Sequence, residues 1–165
     1  MNVTRFSYRV MAAVFAVAVS APSVVAGQAP AALNIMETAK ASFATFARLA
    51  TEAGLAPMLR GTAEFTVFAP TDEAFARMPK ETLAALEADT AALKRLLLYH
   101  VVSGKIGANK VLNLKNARTM SGSKVEFSVR DARLRVNDVV IVRPDVKVAN
   151  GVVHGIDGVL ALPKP

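Results

Sequence analysis

The stretch Phe65–Phe75 reads FTVFAPTDEAF, and it predicts a strand directly before a helix. Residues 64–69 are rich in β-branched and aromatic side chains, which is typical of a strand, and Pro70 ends it. Thr71 is a favoured N-cap residue because its hydroxyl can accept a hydrogen bond from a free amide of the first helical turn. Asp72 follows, where the helix dipole favours negative charge. We therefore predict an apolar strand followed by a capped helix.

The residues before this stretch predict a helical segment. Asn34 and Glu37 have the spacing of a capping box, in which each side chain bonds the other residue's backbone. Apolar residues then recur at spacings of three and four, which predicts one helix that ends at Gly54. These apolar residues are Ile35, Ala39, Phe43, Phe46 and Leu49. A second, short helix is predicted over residues 55–59.

The second half of the chain changes from helical to strand periodicity. Residues 81–87 and 89–99 continue the helical pattern, whereas later segments alternate apolar and polar residues, as half-buried strands do. In one of these segments the alternation predicts that Val125, Phe127 and Val129 are buried. Asn150-Gly151 is typical of a two-residue hairpin turn between strands. Helices followed by an antiparallel sheet system predict an α+β fold.

The N-terminal residues are typical of an export signal. Arg5 and Arg9 precede a short apolar run, and small residues follow it up to Ala26. We predict a signal peptide over residues 1–26, cleaved after Ala26, and a linker over 27–32. Because the apolar run is about half of the roughly 20 residues that a membrane-spanning helix needs, the mature chain is predicted to have no transmembrane segment. It is predicted to be secreted or periplasmic.

Positive charge is concentrated in the C-terminal part of the chain. The whole chain has 20 Lys and Arg against 13 Asp and Glu, a net charge of +7. Several cations lie on the polar side of two neighbouring predicted strands, which is either a face for an anionic polymer or a solvated surface. These cations are Lys124, Arg130, Arg133 and Arg135. We expect no nucleic-acid partner, because the aromatic residue of this region, Phe127, is predicted to be buried and cannot stack on bases.

The sequence lacks the motifs of common catalytic and cofactor sites. It contains no G-x-S-x-G, no phosphate-binding glycine loop and no HExxH, and it has no cysteine and two histidines. We therefore expect no enzymatic activity, no cofactor and no metal site. Tyr99, His100 and His154 allow two interpretations: rings packed inward with hydrogen-bonded tips, or contacts with a partner.

Three segments together resemble the signature segments of the fasciclin domain family. Residues 65–75 resemble the first box, residues 96–102 (LLLYHVV) resemble the central Tyr-His segment, and residues 150–160 (NGVVHGIDGVL) resemble the second box. The resemblance covers about residues 33–163. It implies a wedge of antiparallel β-strands, a β-sandwich, with an N-terminal helical layer. Residues of the two boxes to which we assign a structural role are Thr71, Asp72, Asn150, Gly151, His154 and Asp157.

The resemblance also implies a role in extracellular adhesion or protein recognition, and the short signal and single domain resemble a bacterial exported member. In animal members of the family, integrin contact is ascribed to an Asp-Ile pair ahead of the second box and to the Tyr-His segment. Pro144-Asp145-Val146 occupies the first of these places here, with valine in place of isoleucine. The implied contact set is Asp145, Val146, Tyr99 and His100.

The implied partner is a cell-surface or matrix protein or glycan, bound by a monomer. The residues leave a second class open, a polyanion- or envelope-binding protein that uses the basic strands. Such binding would weaken steeply with salt, because exposed charges are screened beyond about 10 Å at 0.1 M ionic strength.

Overall fold

A computed structural model describes residues 33–162 of the chain. The predicted signal peptide (1–26) and linker (27–32) lie outside the described residues. Within residues 33–162, no helix is both long and apolar enough to cross a membrane. The helices are α1 (Ile35–Ser42), α2 (Ala44–Glu52), α3 (Ala56–Arg60), α4 (Asp72–Ala76), α5 (Lys80–Ala88), α6 (Thr90–Tyr99) and α7 (Ala108–Asn113). The strands are β1 (Phe65–Pro70), β2 (Val101–Ser103), β3 (Asn116–Arg118), β4 (Lys124–Arg130), β5 (Arg133–Val136), β6 (Val139–Val148) and β7 (Gly151–Ile156).

The strands form one curled sheet in the order β2-β1-β7-β6-β5-β4-β3. A bridge between Val102 and Thr119, and a hydrogen bond from the Met120 amide to the Val101 carbonyl, bring the two ends of this series together. The sheet is therefore nearly closed into a barrel, and the predicted α+β fold is confirmed. One pair departs from the predicted antiparallel arrangement, because β1 and β7 run parallel.

The central strands β1 and β7 separate two apolar cores. Both strands are buried along their whole length, and successive side chains point to opposite faces. Val67 and Val153 face the core beneath the helices, whereas Phe68 and Ile156 face the core inside the curled sheet. A strand buried on both faces has no alternating pattern, which is why FTVFAP is apolar almost throughout.

The predicted long helix is divided at Phe43. The Asn34–Glu37 capping box is present at its start, as predicted. Phe43 leaves helical geometry, with φ −144° and ψ 60°, so that α1 ends before it and α2 begins after it. Its ring is fully buried against the strands, where a Cβ placed on Gly155 would lie 2.9 Å from the Phe43 Cε1. The one-helix prediction is wrong because burying this ring decides the backbone conformation.

Asp72 lies in the first turn of α4, but its side chain caps helix α2. Its carboxylate accepts a hydrogen bond of 2.8 Å from the Thr45 amide, in the first turn of α2, whose own N-cap residue offers no side-chain bond. These bonds with Thr45 lower the pKa of Asp72 from its ordinary 3.8. The break at Phe43 leaves free amides at the start of α2, and Asp72 of α4 binds one of them.

We expect D72A to lower the free energy of unfolding by about 1 kcal/mol, the usual loss when an N-cap is removed. Because folding lowers the pKa of Asp72, its contribution is present above about pH 3.8 and is lost as pH falls through the folded value. Urea unfolding of D72A and of E73A at pH 7 and pH 3 checks this. Glu73 is the neighbouring exposed acid of the same turn, and an equal loss in E73A would contradict the cap.

Three further details differ from the sequence predictions. Val129 is 53% exposed, because β4 runs beyond the inner core toward its hairpin with β5. Helix α7 and strand β3 were not predicted. The turn between β6 and β7 consists of Ala149 and Asn150, since Val148 pairs with Gly151.

Candidate functional site

Asn150 joins two parts of the helical layer to the sheet. Its Oδ1 accepts from the Ile35 amide at 2.9 Å, and its Nδ2 donates to the carbonyls of Leu59 and Gly61 at 2.9 and 2.8 Å. Its own carbonyl accepts from the Phe65 amide at the start of β1. The buried side-chain amide therefore satisfies the beginning of α1 and the end of α3, and the backbone carbonyl of the same residue satisfies the first amide of β1.

Gly151 permits the close approach of β7 to β1. A Cβ at this position would overlap the carbonyl oxygen of Phe65 and lie 3.1 Å from the Ile35 Cδ1. Its φ is not positive, so the requirement for glycine comes from contact and not from turn geometry.

Thr71 and Asp157 also hold backbone in place. The Thr71 hydroxyl accepts from the Ala74 amide, which confirms the predicted N-cap of α4. The Asp157 carboxylate accepts from the Val140 amide at 3.1 Å, where β7 ends against β6.

Tyr99 is buried and belongs to a hydrogen-bonded network inside the fold. Its hydroxyl donates to the Lys124 carbonyl at 3.2 Å and accepts from the Asn137 Nδ2 at 3.0 Å. The Asn137 Oδ1 in turn accepts from the Glu126 amide. The ring therefore ties α6 to β4 and to the β5–β6 turn.

His100 is 1% exposed and uses both ring nitrogens internally. Nδ1 lies 2.8 Å from the Leu96 carbonyl, and Nε2 accepts from the Leu160 amide at 3.0 Å. This pairing requires the neutral ring with its proton on Nδ1. Burial lowers the pKa of His100 to about 4, against the opposing hydrogen bond to Leu96.

His154 lies inside the curled sheet, stacked on Phe68 with a ring-centre distance of 5.4 Å. Its Nδ1 accepts from the Asp145 amide at 3.1 Å, and its Nε2 lies 2.8 Å from the Ile106 carbonyl. The ring is therefore neutral with its proton on Nε2. Burial lowers the pKa of His154, while the Ile106 bond and the Asp145 charge act in the opposite direction.

Asp145 is exposed at a bulge of β6, directly above His154. Arg143 pairs with Gly155 and Val146 pairs with Val153, so β6 carries one extra residue across this step. Asp145 has a φ of 56°, a left-handed conformation that aspartate tolerates. Its carboxylate accepts from the Ala108 amide at 2.8 Å and so caps α7.

The structure brings only two members of the predicted contact set to the surface. Asp145 is exposed and Val146 is half-buried, whereas Tyr99 and His100 are 2% and 1% exposed. A partner resting on the folded surface cannot touch the last two rings. In this fold both rings are packed inward with hydrogen-bonded tips, the first of the two interpretations given above.

The predicted basic patch is divided into two groups. Arg130 and Arg133 lie directly opposite each other at the β4–β5 hairpin, and Arg135 follows on the same face. Lys124 is six residues away along β4, roughly 20 Å at the usual rise per residue, and it faces Arg118 of β3. None of these five cations belongs to an ion pair within residues 33–162.

An open groove of about 880 Å³ runs between β4 and the segment 159–161. Lys124 and Arg130 line it, but Glu126 and Asp138 line it too, so its charge is mixed. No group of three or more His, Asp or Glu side chains that could hold a metal ion occurs in the part of the chain that the structure describes.

The three signature segments lie within a part of the chain that matches a known family. The family model of the fasciclin domain matches residues 41–163, most of the chain. This chain belongs to the fasciclin domain family.

Similar proteins each cover about four fifths of this fasciclin-domain chain. The uncharacterized protein sll1735 of Synechocystis sp. is 34% identical over 131 residues, which cover 78% of this chain and 98% of that protein. Protein sll1483 of the same organism is 37% identical over 136 residues, or 80% of this chain and 75% of that protein. Among solved structures, a FAS1 domain pair from the insect cell adhesion molecule Fasciclin I matches with a TM-score of 0.65 and 17% identity. That match covers 79% of this chain and 51% of the pair, and it shows the shared fold.

Sequence reasoning missed the link between His154 and Asp145. The two residues are nine positions apart on the two strands of a hairpin. A regular register would place them opposite each other as a backbone pair, without a bond from the ring to the amide. A bulge in β6 makes the contact. The only sequence signal was Pro144, which is typical of a bulge or an edge within a strand.

Proposed function

We propose that this fasciclin-domain chain is an exported adhesion or protein-recognition module without catalytic activity. Its binding partner would be a cell-surface or matrix protein or glycan, met by a monomer. The observation that carries the proposal is the internal use of the polar motif residues. Both nitrogens of His100 and of His154 are occupied by backbone groups, so neither ring is free to act as an acid or base on a substrate. Recognition then has to come from the outer surface.

The part of that surface we assign to a partner is the β6 bulge with Asp145 and Val146. The bulge presents an exposed carboxylate beside a half-buried apolar side chain, which packs on the core beneath the helices. A charged group next to a small apolar contact, both on one strand of the sheet, suits recognition of a protein surface.

The test is a pull-down with the exported chain, D145N and D145A against solubilised cell-surface proteins and against anionic glycans, at low and high salt. D145N keeps an oxygen for the Ala108 amide and tolerates the positive φ, so it removes the charge and preserves the cap. We expect a protein partner retained at high salt, and about tenfold weaker binding by D145N, equal to about 1.4 kcal/mol. An unchanged melting temperature of D145N confirms an intact fold.

Unchanged binding by D145N would contradict the assignment of Asp145. The same experiment addresses polyanion binding as a second candidate, which the facing pair Arg130 and Arg133 favours. Like charges directly opposite each other destabilise a strand pair unless an anion lies between them. Glycan binding that is lost at high salt and in R130Q/R133Q, but not in K94Q/R95Q on α6, would support that candidate.

A further inference from the structure

We propose that His154 is a positioning residue for the Asp145 bulge, which the neutral ring holds in place and the protonated ring releases. The proposal rests on the proposed function for its biological consequence, a pH-dependent binding surface. The coupling between the His154 ring and the Asp145 bulge can be tested without a partner.

A continuous set of hydrogen bonds connects the buried ring to the surface. The Nε2 of His154 donates to the Ile106 carbonyl, just before α7, while Nδ1 accepts from the Asp145 amide. The Asp145 carboxylate then accepts from the first amide of α7, at Ala108. The ring, the bulge and the start of α7 therefore form one unit, and Asp145 is held by both its amide and its carboxylate.

Protonation of the His154 ring disrupts its hydrogen bond with the Asp145 amide. The protonated Nδ1 becomes a donor, and it would then face the Asp145 amide, also a donor, at 3.1 Å. Two buried donors that face each other both lack an acceptor, which is unfavourable, so at least one of them has to move. The Asp145 carboxylate is the adjacent acceptor of opposite charge, and turning toward the ring would withdraw it from Ala108. The bulge and the beginning of α7 would move together.

The charges around His154 favour this response. Asp145, on β6, is the group whose charge acts on the ring, and β1 contributes the apolar ring of Phe68. The segment before α7 contributes the Ile106 carbonyl, and its neighbour Lys105 is paired with Glu64 at 2.8 Å. Arg143, the nearest cation along β6, pairs with Gly155, whose position faces the helical layer on the other side of the sheet.

The direction of the pH dependence follows from burial. Folding lowers the pKa of His154 below its ordinary 6.5, so the stability it contributes is complete above that value and declines as pH falls toward the folded pKa. Release of Asp145 is therefore expected on acidification below pH 6.5. His100 protonates separately, with a pKa of about 4.

The experiment follows the ring of His154 and the backbone amides of Asp145 and Ala108 by NMR between pH 7.5 and pH 4.5. We expect both amides to shift with the same midpoint as the His154 ring, while the Ile35 amide, bound to Asn150, stays constant and reports the intact fold. Amides that do not move while the ring titrates would overturn the proposal. So would a ring that stays neutral until the fold is lost.

Two variants distinguish a role of His154 in positioning Asp145 from a general contribution to the stability of the fold. H154N places an acceptor near the position of Nδ1, whereas H154Q places a donor near the position of Nε2, and both remove the stacked ring and its titration. We expect H154N to keep the Asp145 amide protected at every pH. H154Q is expected to exchange that amide at least about tenfold faster. Equal exchange in the two variants, or a titration of the Asp145 amide that persists in H154N, would refute the role of His154.

The pH dependence of partner binding is an independent test of the proposal. Where a partner of Asp145 is identified, its binding to the wild-type chain should fall with the same midpoint and should not fall in H154N. If no partner depends on Asp145 but the amides follow the ring, the proposed function fails and the positioning role stands. If binding depends on Asp145 but not on the protonation of His154, the positioning role fails alone.

Discussion

G151A is expected to lower the free energy of unfolding by about 3 kcal/mol or more, a large fraction of the roughly 5–15 kcal/mol that stabilises a typical domain. The added methyl would overlap the backbone carbonyl oxygen of Phe65, in the parallel pair that separates the two cores. A flexible side chain could move aside, but this neighbour is the main chain of a strand whose six residues are all buried. β7 would have to move away from β1, and both cores would open.

G158A is the matched control for this variant. Gly158 also has a φ outside the left-handed region, and a Cβ there would meet the Val139 methyl groups at 3.3 and 3.4 Å. Those methyl groups can shift by a few tenths of an ångström, so we expect a change within about 1 kcal/mol. Urea unfolding monitored by circular dichroism measures both. A G151A protein as stable as G158A would show that the close approach of β7 to β1 is not required.

N150D is expected to lower the free energy of unfolding by about 3–5 kcal/mol at pH 7, although it replaces one atom by another of nearly the same size. The first oxygen can still accept from Ile35, but the second would face the carbonyls of Leu59 and Gly61, at the positions where Asn150 now donates at 2.9 and 2.8 Å. A buried charge would then lie against two acceptors, with no donor in place of the lost amide hydrogens.

The pH dependence of N150D has a definite sign. Because burial and the two carbonyls favour the protonated carboxyl, the folded pKa of the introduced acid is expected above its unfolded value. The penalty is therefore smallest in acid and grows as pH rises through this range. Unfolding measured at pH 5 and pH 8 checks the trend against N109D, which introduces the same acid at an exposed position of α7. Equal losses in N150D and N109D would contradict the role of the Asn150 amide.

The signature segments encode internal hydrogen bonds more than surface contacts. Thr71 caps its own helix as its sequence position predicts, because an N-cap bond spans three residues and needs no distant partner. Asn150 was predicted as a turn residue, and it does lie in the turn. Its bonds to residues 91 and 115 positions away depend on how the helices pack on the sheet, which no local pattern contains.

The exposure of the four residues in the proposed contact set divides in the same way. Asp145 and Val146 were expected as a pair because they occupy the place of the family's Asp-Ile pair, and they lie together at the β6 bulge. Tyr99 and His100 end a helix with an apolar face, and that pattern is compatible with either an inward or an outward ring. The ring positions were decided by acceptors and donors from β4 and from residue 160, far along the chain.

The sequence alone determined the elements whose causes are local. The caps at Asn34 and Thr71, the apolar strand β1, and the alternation through Phe127 in β4 all follow from spacing within a few residues. Tertiary structure decided the rest: the break at Phe43, the parallel pairing of β1 with β7, and the bond between His154 and Asp145. In each case a buried group found its partner across the fold, and the free energy of burying a ring or satisfying an amide exceeded the local preference of the backbone.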